Sequence, residues 1–274
     1  MRFADLHLHT HHSDGTRSPA EIIDLAVEHQ LAIVSISDHD HLAAFDEITS
    51  YAADQNVLLV PGIEFSCEYR GVDVHVLAYA FRPEDSRIRE NLERFRATRR
   101  DRGRRMVEKL VDLGYPITLE RVQELSGGGS LGRPHVARAL VEAGSVASID
   151  EAFDRLLSPG CPGFVGKERF RVPEAVEMVH AAGGVLSIAH PTLYPEGRLI
   201  TVEVLDQGVD GIEVFHPQVD LESREFYRAL ARDRGTMITG GSDDHGFEGR
   251  RDIGTVRVPE ELLGPILERV EIRA

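Results

Sequence analysis

Apolar and polar residues alternate along "FADLHLH", residues 3–9, with the two-residue period of a β-strand, so His7 and His9 share one face. The alternation with leucine also separates this segment from an appended run of histidines. A polar loop follows, and then the period changes. Ser18, Pro19 and Glu21 form a helix start with cap, first-turn proline and capping acid, and Ile22, Ile23, Ala26 and Val27 continue at helical spacing.

The same order of signals recurs. "LAIVSISDHDH", "VLLVPGIEFS", "VDVHVLAYAF", "GVLSIAHP", "GIEVFHP" and "TMITGGSDDHG" are further short apolar runs, each carrying histidine or carboxylate near its end. Helical segments such as "LAAFDEITSYAADQ" and "LESREFYRALARDRG" separate most of them. Seven strands alternating with helices predict an α/β fold with helices outside a parallel sheet. Polar residues at so many strand ends predict a closed (β/α)7 barrel with one active mouth, because a flat sheet gathers its ligands near one switch point.

Residues 83–167 break this rhythm and read as helical. A long amphipathic helix spans "DSRIRENLERFRATRRDRGRRMVEKLVDLG", with a seam of Ile88, Leu92, Phe95, Met106, Leu110 and Leu113. The expected organisation is therefore a barrel over 1–82 and 168–274 with a helical insertion over 83–167. The seam spacing carried through its gap lands on Arg99 and Arg102, whose guanidinium groups are candidates for substrate phosphate. Arg133 and His135, at a helix start after a glycine-rich turn, are further anion-binding candidates. Lys167 at the exit of the insertion and His216 after the sixth strand complete the substrate-binding set.

Composition narrows the picture. The 274 residues are 42% hydrophobic and 28% charged, enough for a substantial core. Thirty-one basic against 46 acidic side chains give a formal charge of −15, which disfavours long nucleic acid as a partner. No apolar run approaches the ~20 residues that cross a bilayer. With two cysteines and no visible signal peptide, a cytoplasmic location is expected. Oligomeric state is not legible.

The candidate chemistry lies at the strand ends. His7, His9, Asp14, His39, Glu64, His75, His190, Asp243 and His245 supply nitrogen and carboxylate donors without thiolate, a set suited to Mn²⁺, Fe²⁺ or Zn²⁺. Nine donors exceed the positions around one ion, so two or three metals are expected. Asp38 and Asp40 flank His39 and are expected to orient imidazoles. His11, His12 and His41 stay ambiguous; His29 and His180 read as ordinary helix residues.

The motifs "DLHLHTHHSDG", "ISDHDH", "PGIEFS", "VHVLAY", "IAHP" and "GGSDDHG" resemble those of the polymerase and histidinol phosphatase (PHP) superfamily, in the expected order across nearly the whole chain. The resemblance implies a distorted seven-stranded barrel and a trinuclear metal site. His7, His9, Glu64 and Asp243 would hold one ion; Glu64 would bridge to a second, held also by His75 and His190; Asp14, His39 and His245 would hold the third. "LGRPHVARALVEAG" and the insertion resemble the freestanding phosphoesterase branch. Its members remove the 3′-phosphate of nucleoside 3′,5′-bisphosphates or degrade short RNA from the 5′ end. The implied activity is phosphate-ester hydrolysis by a metal-bridging hydroxide, with Glu64, Asp243 and His216 as catalytic residues and a small nucleotide or short oligonucleotide as substrate. Histidinol phosphatase, a metal-dependent amidohydrolase and a non-catalytic metal sensor are the competing readings. No strand end carries the lysine that amidohydrolases carboxylate, and a sensor needs no bridging carboxylate.

Overall fold

The computed structural model describes residues 2–126, 131–166, 170–247 and 252–271. Lys167 and the side chain of Arg99 lie outside that description. The chain runs β1 (Phe3–Leu8), α1 (Pro19–Glu28), β2 (Ile33–Ile36), α2 (Ala43–Asp54), β3 (Leu58–Leu59), β4 (Gly62–Tyr69) and β5 (Val72–Tyr79). Four helices follow without a strand: α3 (Ser86–Asp112), α4 (Leu119–Leu125), α5 (Arg133–Glu142) and α6 (Ile149–Ala152). Then come α7 (Val172–Ala181), β6 (Val185–Ile188), α8 (Gly197–Leu205), β7 (Gly211–Phe215), α9 (Leu221–Arg234), β8 (Met237–Gly240), β9 (Val258–Pro259) and α10 (Gly264–Glu271).

The architecture is α/β, with one departure from the expected strand pattern. Among the described residues nine strands form two sheets, ordered β3-β2-β1-β9 and β4-β5-β6-β7-β8. The run "VLLVPGIEFS" is two strands, because Pro61 has no N–H to continue a ladder. β4 then pairs antiparallel with β5, and β5 antiparallel with β6, while β6, β7 and β8 are parallel. Glu64 is consequently the third residue of its strand and His75 stands mid-strand, rather than at C-terminal ends.

Helix starts follow the local chemistry. Ser18 and Glu21 close a reciprocal capping box at α1. Ala4, Leu6, Ile33, Val60, Leu77, Tyr79 and Met237, drawn from both sheets, form one buried cluster. The Tyr79 hydroxyl donates to the Leu6 carbonyl at 3.1 Å and ties the sheets across that core. The helices between β5 and β6 bury a separate cluster that includes Met106, Leu110, Val136, Leu140 and Leu157. Ile88, Leu92 and Phe95 of the α3 seam pack instead with the sheet residues around Phe65 and Val76. Leu113, the last expected seam position, is 53% exposed, because it lies just past the helix end. No helix among the described residues is long and apolar enough to cross a membrane.

Candidate metal centre and substrate clefts

The ends of β1, β2, β6 and β8 meet the start of β4 at one point. The main chain there is stitched by Asp243 N–H to the His7 carbonyl (2.8 Å) and His9 N–H to the Asp244 carbonyl (2.9 Å). Two glycines allow the approach. A Cβ on Gly241 would stand 2.4 Å from the His7 backbone nitrogen, and one on Gly15 2.5 Å from the His9 carbonyl oxygen. Asp40, His190 and Asp243 adopt φ of 50°, 27° and 54°, a region non-glycine residues occupy sparingly, and surrounding contacts hold all three.

All nine expected ligands converge. Glu64 is the hub: its Oε2 stands 3.2 Å from His7 Nε2, 3.2 Å from His9 Nε2 and 3.1 Å from His39 Nδ1. Its other oxygen stands 2.8 Å from His75 Nδ1 and 3.1 Å from His190 Nε2. Asp243 Oδ1 faces His7 Nε2 (3.5 Å), His9 Nε2 (3.4 Å) and His245 Nδ1 (3.6 Å). Asp14 faces His245 Nε2 (3.4 Å), His39 Nε2 (3.6 Å) and His9 Nδ1 (3.8 Å). The sets compact enough to grip one ion are His7/His9/Asp243, His39/Glu64/His75 and His9/Asp14/His39/His245. This differs from the partition the resemblance implied. His9 and His39 each direct two nitrogens at different carboxylates and so belong to two sets at once.

The donors fit cations. His7 Nε2, both ring nitrogens of His9 and His39 Nδ1 are buried without a hydrogen-bond partner, although carboxylate oxygens lie close by. Desolvated nitrogens in that state are costly unless something accepts their lone pairs. Burial opposes ionisation of Glu64, Asp14 and Asp243, yet the surrounding histidines hold all three carboxyls well below the ordinary range. Burial likewise opposes charge on His7, but Glu213, Glu64 and Asp243 hold it well above the usual imidazole range. Burial pushes His39 down to about 3, leaving a neutral imidazole with a lone pair to give. The nest is a buried anionic cradle that demands positive charge.

Glu213 is the functional residue that sequence reasoning noticed but left without a role. Fully buried on β7, it accepts from His7 Nδ1 at 2.9 Å and from the His190 backbone N–H at 2.6 Å. It thereby orients the ring so that Nε2 faces Glu64 and Asp243. The available signal was a carboxylate inside an otherwise apolar strand. Tyr194 went unnoticed; its hydroxyl accepts from His75 N–H and donates to the Ala189 carbonyl, both at 2.9 Å.

Other residues singled out in the sequence have definite partners. Asp38 accepts from Thr10 N–H (2.7 Å), Thr10 Oγ1 (2.6 Å) and Ser13 Oγ (2.6 Å), and Asp40 accepts from Ser66 N–H (3.2 Å). They hold backbone and loop. His135 is buried, and its Nδ1 accepts from Gly132 N–H at 3.0 Å at the start of α5. His12 pairs with Glu47, and His41 Nε2 lies 3.1 Å from Arg96. His216 is fully buried; its Nδ1 accepts from Gln218 N–H, and its Nε2 stands 3.4 Å from Asp243 Oδ2.

Two clefts lead to the cradle, and both are lined by Asp14, Pro134 and Phe153. The first is lined by His39 and His75 and also by Arg102 and Arg133, with Asp40 and Asp73 among them. Arg133 lies over the Phe153 ring at 5.6 Å and 3.8 Å from Asp73, and Arg102 Nε donates to the Val165 carbonyl at 2.8 Å. The second, with a volume of about 800 Å³, reaches Asp243 and His245 and is lined by Phe247, Leu193, Ile149, Gln218 and Arg138.

A buried histidine–carboxylate cradle where α/β strands converge, opened by a cleft that carries two arginines, is the arrangement of a metal-dependent hydrolase of anionic esters. The sequence profile of the PHP domain matches residues 5–156, and the chain belongs to that family. It is 31% identical over 279 residues to the 3′,5′-nucleoside bisphosphate phosphatase of Chromobacterium violaceum, covering 100% of this chain and 98% of that protein. It is also 31% identical over 245 residues to the 5′-3′ exoribonuclease of Haemophilus influenzae, covering 88% of this chain and 89% of that one. Among solved structures, a metal-dependent phosphoesterase from Bifidobacterium adolescentis superposes with a TM-score of 0.87 at 32% identity, over 97% of this chain and 96% of that one.

Proposed function

We propose that the chain is a metal-dependent phosphatase that removes the 3′-phosphate of a nucleoside 3′,5′-bisphosphate. One observation carries this reading: a single cleft is lined both by the candidate ligands Asp14, His39 and His75 and by Arg102 and Arg133. A substrate with two phosphates engages both walls, whereas a singly phosphorylated one uses only the first. The full-length likeness to a phosphatase of that printed name supports the same substrate.

Divalent cations, Mn²⁺, Fe²⁺ or Zn²⁺, suit the nitrogen and oxygen donors, and when bound they supply an activated water and charge neutralisation at the phosphoryl oxygens. We assign three of them to His7, His9, Asp14, His39, Glu64, His75, His190, Asp243 and His245, with Glu64 shared because its two oxygens face different histidines. In the reaction the oxygen of water bonds to phosphorus, the bond from phosphorus to the 3′-oxygen breaks, and that oxygen takes a proton. His216 is suited to the proton's path. Its Nδ1 accepts from Gln218, so its proton sits on Nε2, beside Asp243. Arg133 and Arg102 hold the 5′-phosphate; Arg99 and Lys167 remain candidates for the same task.

The strands β1, β2 and β4–β8 read as a distorted seven-stranded barrel closed by the isolated bridges Leu8–Asp244 and His39–Glu64, with β3 and β9 as additions. The helical core of α3–α6 supports treating 83–167 as an insertion between barrel segments 1–82 and 168–274. Cys67 and Cys161 form no disulfide, which fits a reducing cytoplasm.

The test is steady-state kinetics of the purified, Mn²⁺-supplemented protein. Adenosine 3′,5′-bisphosphate should be cleaved at the 3′-position far faster than histidinol phosphate or a 5′-phosphorylated dinucleotide. Faster turnover of histidinol phosphate, or of the dinucleotide, would replace this reading with that of a histidinol phosphatase or an exoribonuclease.

A further inference from the structure

The ligand set His9, Asp14, His39 and His245 is assembled across segments far apart in the chain. His9 and Asp14 come from the loop after β1 and His245 from the turn after β8, and the His9 and His245 rings stack with 4.2 Å between centroids. That Asp14 faces His245 at 3.4 Å therefore depends on how loop and turn dock. His9 N–H donates to the Asp244 carbonyl and Thr16 N–H to the His245 carbonyl, both at 2.9 Å. Between Asp243 and His245 stands Asp244, which is fully buried and belongs to none of the three ligand sets. Its side chain accepts from Gly246 N–H at 2.7 Å and from the guanidinium of Arg17, at the far end of the ligand loop. Gly246 makes room for this junction. At its φ of 72°, a Cβ would stand 2.4 Å from Thr16 Oγ1 and 2.9 Å from Arg17 Cγ. Another nitrogen of Arg17 reaches the exposed Asp252 at 3.1 Å, and Arg17 lines neither cleft.

We infer that Arg17 and Asp244 are positioning residues for the ion held by His9, Asp14, His39 and His245. The inference rests on the three-ion reading of the cradle and adds what sets the spacing of one ion's ligands. A buried carboxylate is tolerated while a cation neutralises it. Without Arg17 the turn has to carry Asp244 toward water, and His245 travels with it. The other two sets are insulated from that movement. His39, Glu64 and His75 belong to neither loop nor turn, and Asp243 is held separately by its N–H bond to the His7 carbonyl at 2.8 Å. Loss of the pair should weaken one ion and spare two. Lysine at position 17 still supplies a cation to Asp244, and the contact it forfeits, to exposed Asp252, is worth little.

The test is titration of the metal-stripped protein with Mn²⁺, following the free ion by electron paramagnetic resonance, a readout independent of turnover. The wild-type protein should bind three ions. Arg17→Met should weaken one of them by about 10- to 100-fold, the scale for groups that orient metal ligands, and leave two unchanged. Arg17→Lys should stay near the wild type. Gly246→Ala strains the same junction from the turn without altering charge, so it should weaken the same ion and keeps the test open should Arg17→Met fail to fold. In an Asp14→Asn background, which removes a ligand of that ion, Arg17→Met should cost nothing more. Three unchanged ions in both Arg17→Met and Gly246→Ala, equal weakening of all three in Arg17→Met, or as large a loss in Arg17→Lys as in Arg17→Met would overturn the positioning role and leave the metal centre standing. Fewer than three sites in the wild-type protein, for Mn²⁺ and Zn²⁺ alike, would overturn the three-ion assignment itself, and the inference with it.

Discussion

Replacing Glu64 by glutamine tests the centre at its hub. The side chain keeps its shape and loses one charge, at a position where five imidazole nitrogens lie between 2.8 and 3.2 Å. A unit charge acting on another about 4 Å away, at an effective dielectric near 20, is worth about 4 kcal/mol. That corresponds to roughly a thousandfold in an equilibrium or rate constant. Glu64 faces two groups of candidate ligands, so both metal retention and turnover should suffer. Glu64→Gln should hold substoichiometric metal after gel filtration, measured by plasma mass spectrometry, and kcat should fall by about three orders of magnitude. The fold should survive, because the substitution is isosteric and the surrounding strands are tied by main-chain ladders; circular dichroism checks this. Near-normal turnover with full metal content would refute the shared-carboxylate assignment.

Other consequences follow from neighbouring geometry. Glu213→Gln leaves one oxygen for two donors, His7 Nδ1–H and His190 N–H, so metal affinity should fall about 10- to 100-fold by competition with a chelator; unchanged affinity would remove its orienting role. His216→Ala should lower kcat by about 10²- to 10⁴-fold with little change in KM if its Nε2 proton serves the leaving oxygen. A change confined to metal content would make His216 a support for Asp243 alone. Arg133→Ala should raise KM for a bisphosphate by about tenfold or more and for a monophosphate much less, since charge-assisted contacts to phosphate exceed 1.4 kcal/mol. Equal effects on both substrates would return Arg133 to a structural partner of Asp73 and Phe153.

The sequence by itself determined what depends on local pattern. Two-residue alternation marked β1, cap chemistry set the start of α1 at Ser18, and helical spacing marked α3. It also determined the donor inventory, because histidines and carboxylates recur next to apolar strands where few structural tasks call for them. All nine candidate ligands are brought together in the fold. Tertiary structure decided whatever depends on residues far apart in the chain. The antiparallel pairing of β4 with β5 moved Glu64 and His75 away from strand ends, because the register of a hairpin is set by its partner and not by its own period. At the third residue of α5 the His135 ring meets the orphan N–H of Gly132, a partner that exists only once the helix has formed. Glu213 gained its role only when the fold brought His7 of β1 and His190 after β6 within reach of β7, since a buried carboxylate is defined by the donors that reach it. The two clefts belong to the same class, because Asp14, Pro134 and Phe153, which line both, are far apart in the chain and no local pattern brings them together.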